Sequence, residues 1–316
     1  MKIILLYGGR SAEHDVSLLS AFSVVNAVYY NYYQVQLVMI TRDGQWLKGS
    51  LLTEAPTSKE VLNLTDSAYQ GTPIQPGEIK EEDAIVFPLL HGPNGEDGTI
   101  QGFLETIGMP YVGAGVLTSA CGMDKIMTKY ILQAAGIPQV PYVPVLKNYW
   151  KENPKKVFEQ CEGSLLYPMF IKPANMGSSV GITKAENREE LQNALQEAYR
   201  YDTRAIVEQG IEAREIEVAV LGNEDVRTTM PGEIVKDVAF YDYNSKYLDN
   251  KIEMQIPAQI PEETQAKAQE FAKKAYTMLG GSGLSRCDFF LTNKNELFLN
   301  ELNTIPALQA EFCRYP

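Results

Sequence analysis

KIILLYGGRSAEHDVS, residues 2–17, is an apolar run that ends in two glycines and continues into a helical pattern. Residues 2–7 predict a buried strand, the glycine pair a tight turn, and residues 15–29 a helix. The apolar segment 34–40 predicts a second strand. Strand, glycine turn, helix and strand in this order are typical of a parallel α/β unit, which binds ligands at the carboxyl ends of its strands. The turn that ends at Glu13 is therefore a candidate binding loop.

Composition excludes several classes of protein. The chain has 316 residues, is 45% hydrophobic and carries a formal net charge of -12. This length predicts two or three domains, and the acidic balance argues against a nucleic-acid partner, whose phosphates need a basic surface. Four scattered cysteines without a CxxC pair and only two histidines argue against a zinc site or a disulfide framework. No segment predicts a signal peptide or a membrane partner, so a cytoplasmic protein is expected.

Three further segments bear on the domain organisation. Residues 50–82 are rich in Thr, Ser, Pro, Gly and acids, which predicts a long connection with little core. Residues 118–135 predict a single helix that Gly136 ends. Further helices are predicted over 99–107, around 154–161 and over 188–199. The rest of the chain is predicted to be mostly strands, with one more helix over 262–279. The expected domains are 1–115, an α/β domain, 116–211, a central domain, and 212–316, a carboxyl-terminal domain.

Two apolar strands near the end of the chain carry charged and amide side chains. They are RCDFF at 286–290 and LFLNELN at 297–303, joined by a short polar turn. Side chains two apart in a strand share a face, and the turn can bring the two polar faces together. Mg²⁺ prefers carboxylate and amide oxygens completed by phosphates and water, so the pattern predicts a metal site. The alternative is an acidic, solvated hairpin edge. The polar residues concerned are Arg286, Asp288, Glu301 and Asn303.

A loop of small residues, NMGSSVG at 175–181, lies between two predicted strands and follows Lys172. Small residues allow backbone N–H groups to approach a phosphate chain, although an ordinary hairpin turn has the same composition. No GxxxxGK[ST] or GxGxxG element is complete, which excludes the P-loop and the dinucleotide fingerprint. Lys125 could reach a phosphate, and Glu208 and Glu215 could bind a ribose or an adenine amine. Each of these three could equally be a solvated surface residue.

Three other segments have two interpretations each. Glu13 precedes a predicted helix, so it could capture an ammonium group or simply favour the helix dipole. HGPNGEDG at 91–98 follows a predicted strand and could line the ligand edge or form an acidic helix entry. YDYNSKY at 241–247 is a polar, aromatic loop that could be a lid or a surface turn.

Six blocks taken together resemble the D-alanine:D-alanine ligase family, from residue 1 to about Pro306. They are GGRSAEHDVS at 8–17, HGPNGEDGTIQG at 91–102, MDK at 123–125, KPANMGSSVG at 172–181, FYDYNSKY at 240–247, and RCD with NELN at 286–288 and 300–303. The resemblance implies an α/β, three-domain ATP-grasp fold whose amino-terminal substrate domain has a Rossmann-like parallel sheet. The other two domains would be ATP-grasp subdomains, and the last would carry the metal site.

The resemblance also implies residue roles. ATP would be bound by Lys125, Lys172, Gly177, Ser179, Glu208, Ile211, Glu215 and Lys246. Two Mg²⁺ ions, with Mn²⁺ as a substitute, would be held by Asp288, Glu301 and Asn303. Substrate binding and catalysis would fall to Glu13, His91, Ser178, Tyr247 and Arg286.

The implied reaction makes a peptidoglycan precursor from two D-alanine molecules. ATP phosphorylates the carboxylate of the first, whose ammonium Glu13 would receive. The amine of the second then attacks the acyl phosphate, and Arg286 would stabilise the tetrahedral oxyanion. Ser178 and Tyr247 would link the glycine loop to the lid, which keeps water from the acyl phosphate. A homodimer is also expected from the resemblance.

The sequence departs from the family after Pro306. Where the family has Gly-Phe-Thr and then a serine that binds the second substrate's carboxylate, residues 307–316 read ALQAEFCRYP. A matching serine is absent, which predicts impaired acceptor binding and suggests a cloning scar or frameshift. Two alternative functions therefore stay open: a D-alanine:D-lactate ligase, although the Lys246-Tyr247 pair favours an amine acceptor, and a nucleotide-binding protein without ligase activity.

Overall fold

The computed structural model describes residues 1–177, 180–236 and 252–307. The chain divides into two compact units. The first comprises Met1–Ala120, Ser282–Leu284 and the described residues from Thr304 onward; the second comprises the described parts of Cys121–Gly281 and Ser285–Asn303. Four predicted site residues, Ser178, Ser179, Lys246 and Tyr247, lie outside the described residues, as does the divergent segment 308–316. The division into three domains stays a prediction.

The first unit contains a five-stranded sheet. Its strands are β1 (Lys2–Gly8), β2 (Gln34–Ile40), β3 (Trp46–Leu52), β4 (Thr72–Ile74) and β5 (Ala84–Leu89), in the order β4-β3-β2-β1-β5. Strand β1 runs parallel to both of its neighbours, which confirms the predicted parallel unit. Residues 4–7 are at most 2% exposed, as expected for a strand covered on both faces. Because β1 and β5 are parallel, the loops that follow them meet at the same edge of the sheet.

The same unit contains the helices α1 (His14–Ala27) and α2 (Thr99–Ile107). The prediction that residues 50–82 contribute little core is wrong. Leu62 and Leu64 are both 1% exposed and pack with β1 and β2, and the Tyr7 hydroxyl donates to the Leu62 carbonyl at 2.9 Å. Single leucines among polar residues give no periodic signal, although each buries a full side chain.

Two sheets form the second unit. The first has strands β6 (Tyr142–Leu146), β7 (Met169–Pro173), β8 (Thr183–Ala185) and β9 (Arg204–Gln209), in the order β6-β9-β7-β8. The second has strands β10 (Arg214–Leu221), β11 (Arg227–Thr228), β12 (Gly232–Lys236), β13 (Ile252–Gln255), β14 (Leu284–Leu291) and β15 (Leu297–Asn303), in the order β13-β12-β10-β14-β15 with β11 beside β10.

The remaining helices are α3 (Val116–Met123), α4 (Lys125–Ala134), α5 (Lys147–Glu152), α6 (Pro154–Ser164), α7 (Arg188–Ala198) and α8 (Glu262–Met278). Small residues of α8 pack against the apolar side chains of β10, β14 and β15 in one core. This helix therefore covers one face of the larger sheet, and the polar side chains of β14 and β15 lie on the other. No helix among the described residues has the length and apolar character needed to cross a membrane.

The helix predicted over 118–135 is in fact two helices, α3 and α4, separated at Asp124. Asp124 has an extended backbone, and its side chain accepts from the N–H groups of Ile126 and Met127 at 3.0 and 3.1 Å. A side chain that satisfies these free donors starts a new helix at Lys125. Aspartate is a common capping residue, so Asp124 was a sequence signal for the break. The apolar pattern that continues on both sides of it favoured a single helix instead.

Candidate active site

The hairpin of β14 and β15 brings the predicted metal ligands together. Asp288 lies directly opposite Glu301, and Arg286 directly opposite Asn303. The Asn303 side-chain amide donates to Asp288 Oδ2 at 2.9 Å. All four side chains lie on the face of the sheet opposite to the apolar residues of both strands. The predicted sharing of a face is thus confirmed for the two strands.

A β-bulge at Asn300 makes this alignment possible. The register passes from Phe289 opposite Leu299 to Asp288 opposite Glu301, which leaves Asn300 as an extra residue in β15. Leu299 is buried, so strict alternation would have turned Glu301 into the core as well. The extra residue instead places Glu301 on the polar face and Leu302 in the core.

Charge is unevenly distributed around this face. Arg286 donates from Nε and Nη2 to the two oxygens of Asp288, both at 2.7 Å, and its Nε lies 3.3 Å from Glu217 Oε1 on β10. Burial lowers the pKa of Arg286, but the attraction of Asp288 and Glu217 raises it well above its ordinary value. Burial raises the pKa of Asp288, and Arg286 lowers it. The negative charges of Glu301 and Glu215 raise it again, so the pKa of Asp288 stays above its ordinary value.

These charges fit a divalent cation. Asp288 is influenced by the carboxylates of Glu301 and Glu215, and Glu217 lies beside Arg286, so a bound dication would relieve the repulsion among these carboxylates. Among the described residues, no group of three or more His, Cys, Asp or Glu side chains is placed to hold a metal. The hairpin offers two carboxylates and one amide, a set that Mg²⁺ completes with phosphate oxygens and water.

Three charged side chains form a buried cluster in the four-stranded sheet, which we call the Glu208 triad: Lys129, Lys172 and Glu208. Lys172 on β7 lies with Nζ 2.5 Å from Glu208 Oε2, and Lys129 on α4 lies 2.8 Å from Oε1. Burial raises the pKa of Glu208, but Lys129 and Lys172 outweigh this effect and lower the pKa from 4.5 to about 2. Burial lowers the pKa of Lys172, and Glu208, then Glu301 and Glu215, raise it above its ordinary value. Lys172 therefore experiences both the triad and the metal hairpin.

The sequence did not point to Lys129. This lysine is 1% exposed and lies on the buried face of α4 with Ile126 and Leu132. The available signal was its spacing, because a lysine three residues from two apolar positions of one helix lies on the buried face. A lysine in such a position needs a counter-charge.

The base of the glycine loop is held by α4 and by the turn before β9. Lys125 donates from Nζ to the Met176 carbonyl at 2.5 Å and from its backbone N–H to the Ala174 carbonyl at 3.0 Å. Asn175 donates twice to Asp202, both at 3.0 Å. Gly177 is the last residue described before the loop's two serines.

The two remaining ATP-site candidates lie near the connection between the sheets of the second unit. Ile211 is half-buried in the segment that joins β9 to β10. Glu215, on β10, is also half-buried, and its charge influences the pKa of both Lys172 and Asp288. The structure thus brings Lys125, Lys172, Glu208, Ile211 and Glu215 into one unit with the metal hairpin.

In the first unit, Glu13 lies at the edge where β1 and β5 end. It is 7% exposed, and its Oε2 lies so close to Gly92 that a methyl group there would approach within 2.2 Å. Ser11 ties the two loops together, since its hydroxyl donates to the His91 carbonyl at 2.7 Å and accepts from the Glu13 N–H at 3.2 Å. A larger residue at position 92 would displace this carboxylate from its present place, and the positive φ of 74° there also favours glycine.

His91 and Glu96 hold the backbone of Ile305. His91 Nδ1 lies 2.9 Å from the Ile305 carbonyl, which can only accept, and Nε2 lies 2.9 Å from Ser20 Oγ. Glu96 accepts from the Ile305 N–H at 3.0 Å and from the Gly92 N–H at 2.8 Å. Both ring nitrogens of His91 thus have protein partners, and its predicted contact with substrate stays a prediction. Sequence reasoning missed Glu96, whose partner is far away along the chain.

Comparison with known proteins places these features in a family. Models of the D-ala D-ala ligase N-terminus and of the D-ala D-ala ligase C-terminus match residues 2–114 and 131–316. The D-alanine--D-alanine ligase of Enterococcus hirae is 79% identical over 323 aligned residues, which cover 100% of this chain and 90% of that protein.

The chain belongs to the D-alanine–D-alanine ligase family.

Other relatives agree with this membership. The D-alanine--D-alanine ligase of Enterococcus faecalis is 74% identical, with 100% of this chain and 92% of that protein covered. The crystal structure of the VanG D-Ala:D-Ser ligase from Enterococcus faecalis superimposes with a TM-score of 0.80 at 35% identity, over 97% of this chain and 90% of that one. The D-alanine-D-alanine ligase from Coxiella burnetii gives 0.80 at 32% identity, over 98% and 87%. The family resemblance and the α/β ATP-grasp fold predicted from the sequence are therefore confirmed.

Proposed function

We infer that this chain joins two D-alanine molecules into D-alanyl-D-alanine with ATP, through a D-alanyl phosphate, and so supplies a precursor of peptidoglycan. The observation that carries this inference is the bulged hairpin, which aligns Glu301 with Asp288 beside Arg286. It occurs in a chain whose relatives at 79% and 74% identity are named D-alanine--D-alanine ligases.

The nucleotide is proposed to bind in the second unit. Lysines suit the phosphates, because each adds a mobile positive charge without geometric demands. Carboxylates suit the adenine amine and the ribose hydroxyls, which donate hydrogen bonds. The proposed ATP-binding residues are Lys125, Lys172, Gly177, Ser179, Glu208, Ile211, Glu215 and Lys246.

Asp288, Glu301 and Asn303 are proposed to hold two Mg²⁺ ions, for which Mn²⁺ can substitute. When bound, these ions neutralise charge on the transferring phosphoryl group. Arg286 is half-buried and is held by Asp288 and Glu217, so it provides a fixed cation near the reacting groups. We assign it to the tetrahedral oxyanion, because a preorganised charge needs no reorientation as the oxyanion develops.

Glu13 is proposed to receive the ammonium group of the first D-alanine, and His91 to belong to the same substrate site. The burial of Glu13 supports this role, since a buried carboxylate binds a cation more strongly than an exposed one. Ser178 and Tyr247 are assigned to the link between the glycine loop and the lid, on the resemblance alone.

A product assay tests the proposed reaction. The chain is incubated with ATP, Mg²⁺ and D-alanine, and both phosphate and dipeptide are measured, with D-lactate and D-serine as alternative second substrates. Phosphate release that depends on D-alanine, with dipeptide as the main product, is expected. The D-lactate ligase and the inactive nucleotide-binding protein are not favoured by the close relatives. A depsipeptide product, or phosphate release without D-alanine, would contradict the proposal.

We further propose a cytoplasmic homodimer that acts without nucleic-acid or membrane partners. Light scattering coupled to size-exclusion chromatography gives the mass in solution. A mass of one chain at micromolar concentration would overturn the dimer.

A further inference from the structure

We propose that Lys129 is a positioning residue that acts as a reserve counter-charge: it keeps Glu208 paired when Lys172 turns from Glu208 to the phosphates of the nucleotide. The proposal rests on the assignment of the second unit as an ATP site. It assigns a function to a lysine that does not itself need to touch the nucleotide.

The geometry sets Lys129 apart from an ordinary structural lysine. Its side chain is 1% exposed, and its Nζ lies 2.8 Å from Glu208 Oε1. Within the described ranges, its ammonium has no other polar partner, and its remaining contact is the ring of Tyr142, 5.8 Å from Nζ. Of the carboxylates in the described part of the chain, Glu208 is the one that Lys129 pairs with, whereas Lys172 also experiences Glu301 and Glu215.

The two lysines differ in access. The side chain of Lys172 is 10% exposed and that of Lys129 is 1% exposed. A phosphate group can therefore approach Lys172, while Lys129 stays covered. The Glu208 triad holds two cations and one carboxylate, so it carries one positive charge more than it needs for neutrality. That excess charge is available to an incoming anion.

Removal of one partner from a buried ion pair leaves a buried charge without compensation, which is strongly unfavourable. Without Lys129, Lys172 could contact a phosphate only by leaving Glu208 buried and without a counter-charge. Glu208 would then retain Lys172, and the phosphates would lose a cation. With Lys129 present, Glu208 remains paired throughout, so Lys172 is free to move.

Nucleotides with and without phosphates separate this role from a purely structural one. Dissociation constants for ADP are measured by titration calorimetry, and those for adenosine by competition, with the full chain and its Lys129→Met variant. The expected result is a rise of about tenfold or more in the ADP constant, equivalent to ~1.4 kcal/mol, with less than about a twofold change for adenosine. Equal losses for both ligands, or no change for ADP, would overturn the proposal.

Lys147→Met is the matched control. Lys147 also lies over a tyrosine ring, 5.9 Å from the centroid of Tyr199, but its Nζ donates to a backbone carbonyl rather than to a carboxylate. Its loss should leave the ratio of the two dissociation constants unchanged. A change in that ratio as large as that of Lys129→Met would also contradict the proposal.

The double variant Lys129→Met/Glu208→Gln keeps the test open if the single variant folds poorly. An amide at 208 needs no counter-charge, so Lys172 can leave it, and the ratio of ADP to adenosine affinity should return toward that of the unaltered chain. If the ratio in the double variant is no closer to that of the unaltered chain than the ratio in the single variant, the reserve role is refuted. If the unaltered chain binds neither ligand, the ATP-site assignment itself fails, which is a distinct outcome.

Discussion

At the scale of single residues, Glu301 carries the sharpest consequence of the metal assignment. It lies opposite Asp288 and on the polar face of the hairpin. Glu301→Gln keeps the size of the side chain but removes one charge from a site that favours dications. We expect an intact fold and a loss of about 100-fold in kcat/KM for Mg²⁺-ATP, or ~2.7 kcal/mol.

Initial rates measured across a range of Mg²⁺ concentrations check this expectation. Glu296→Gln is the matched control, because Glu296 is an exposed acid in the turn of the same hairpin. Equal Mg²⁺ dependence in the two variants would remove Glu301 from the metal site.

Glu208 should make stability depend on pH. Burial raises its pKa, yet Lys129 and Lys172 lower it from 4.5 to about 2 in the folded chain. A lowered pKa contributes stability that is fully present above about pH 4.5 and is lost as the pH falls toward 2. Glu208→Gln should therefore be less stable than the unaltered chain at pH 7 by roughly 3 kcal/mol, and the difference should narrow below pH 4.5.

Urea unfolding midpoints at several pH values between 7 and 3 measure this difference. Glu224→Gln, at an exposed position, should show no such narrowing. A constant gap between Glu208→Gln and the unaltered chain would mean that the carboxylate is not ionised by the two lysines.

At the scale of elements, the bulge in β15 decides which side chains face the site. Insertion of one alanine between Asp288 and Phe289 gives β14 a partner for Asn300 and so removes the bulge. Strict alternation would then turn Asp288 and Glu301 toward α8. We expect loss of Mg²⁺-dependent turnover by more than about 100-fold together with lower stability, since a charge enters a core.

Asn300→Ala is the control, because it keeps the residue count and therefore the bulge. Its activity should stay within about twofold of the unaltered chain. Steady-state kinetics and thermal unfolding of both variants give the comparison, and normal Mg²⁺ dependence in the insertion variant would show that the bulge does not set the register.

Local patterns explain how much of this could be predicted. The apolar residues Leu297, Leu299 and Leu302 already show the shift from a spacing of two to a spacing of three, so the bulge was legible in the sequence. The parallel unit around β1 was also predictable from local patterns, because an apolar run, a glycine pair and a helical pattern follow one another there. The break at Asp124 and the buried place of Lys129 had weaker signals, because an apolar pattern continues on both sides of them.

At the scale of the whole molecule, the two compact units are not continuous in sequence. The chain leaves the first unit after Ala120, returns for Ser282–Leu284, and returns again from Thr304. The contacts of Ile305 with His91 and Glu96 join residues 214 and 209 positions apart. Sequence patterns report neighbours along the chain, so neither contact could have been predicted from periodicity or spacing.

Glu96 provides a test of this long-range contact. Its two oxygens each accept a backbone N–H, from Ile305 and from Gly92. Glu96→Gln replaces one oxygen with an amide that cannot accept, which leaves a buried donor unsatisfied. We expect a loss of roughly 1–3 kcal/mol in the free energy of unfolding. Asp97→Asn, at the adjacent half-buried acid, should cost less, and equal losses measured by chemical unfolding would contradict this account.

The hydrogen bonds that hold Ile305 also affect the order of events during synthesis of the chain. Glu96 and Ile305 are 209 residues apart, and translation proceeds at about 5–20 residues per second, so Glu96 leaves the ribosome roughly 10–40 s before its partner. The five strands of the first sheet end at Leu89, so they have emerged before this interval begins. Throughout it, Glu96 lacks the N–H of Ile305 as a donor, and His91 lacks the carbonyl of Ile305 as an acceptor. The nascent chain therefore passes through a stage in which its first unit lacks the contacts of Ile305. Chaperones and proteases have access to the chain at this stage.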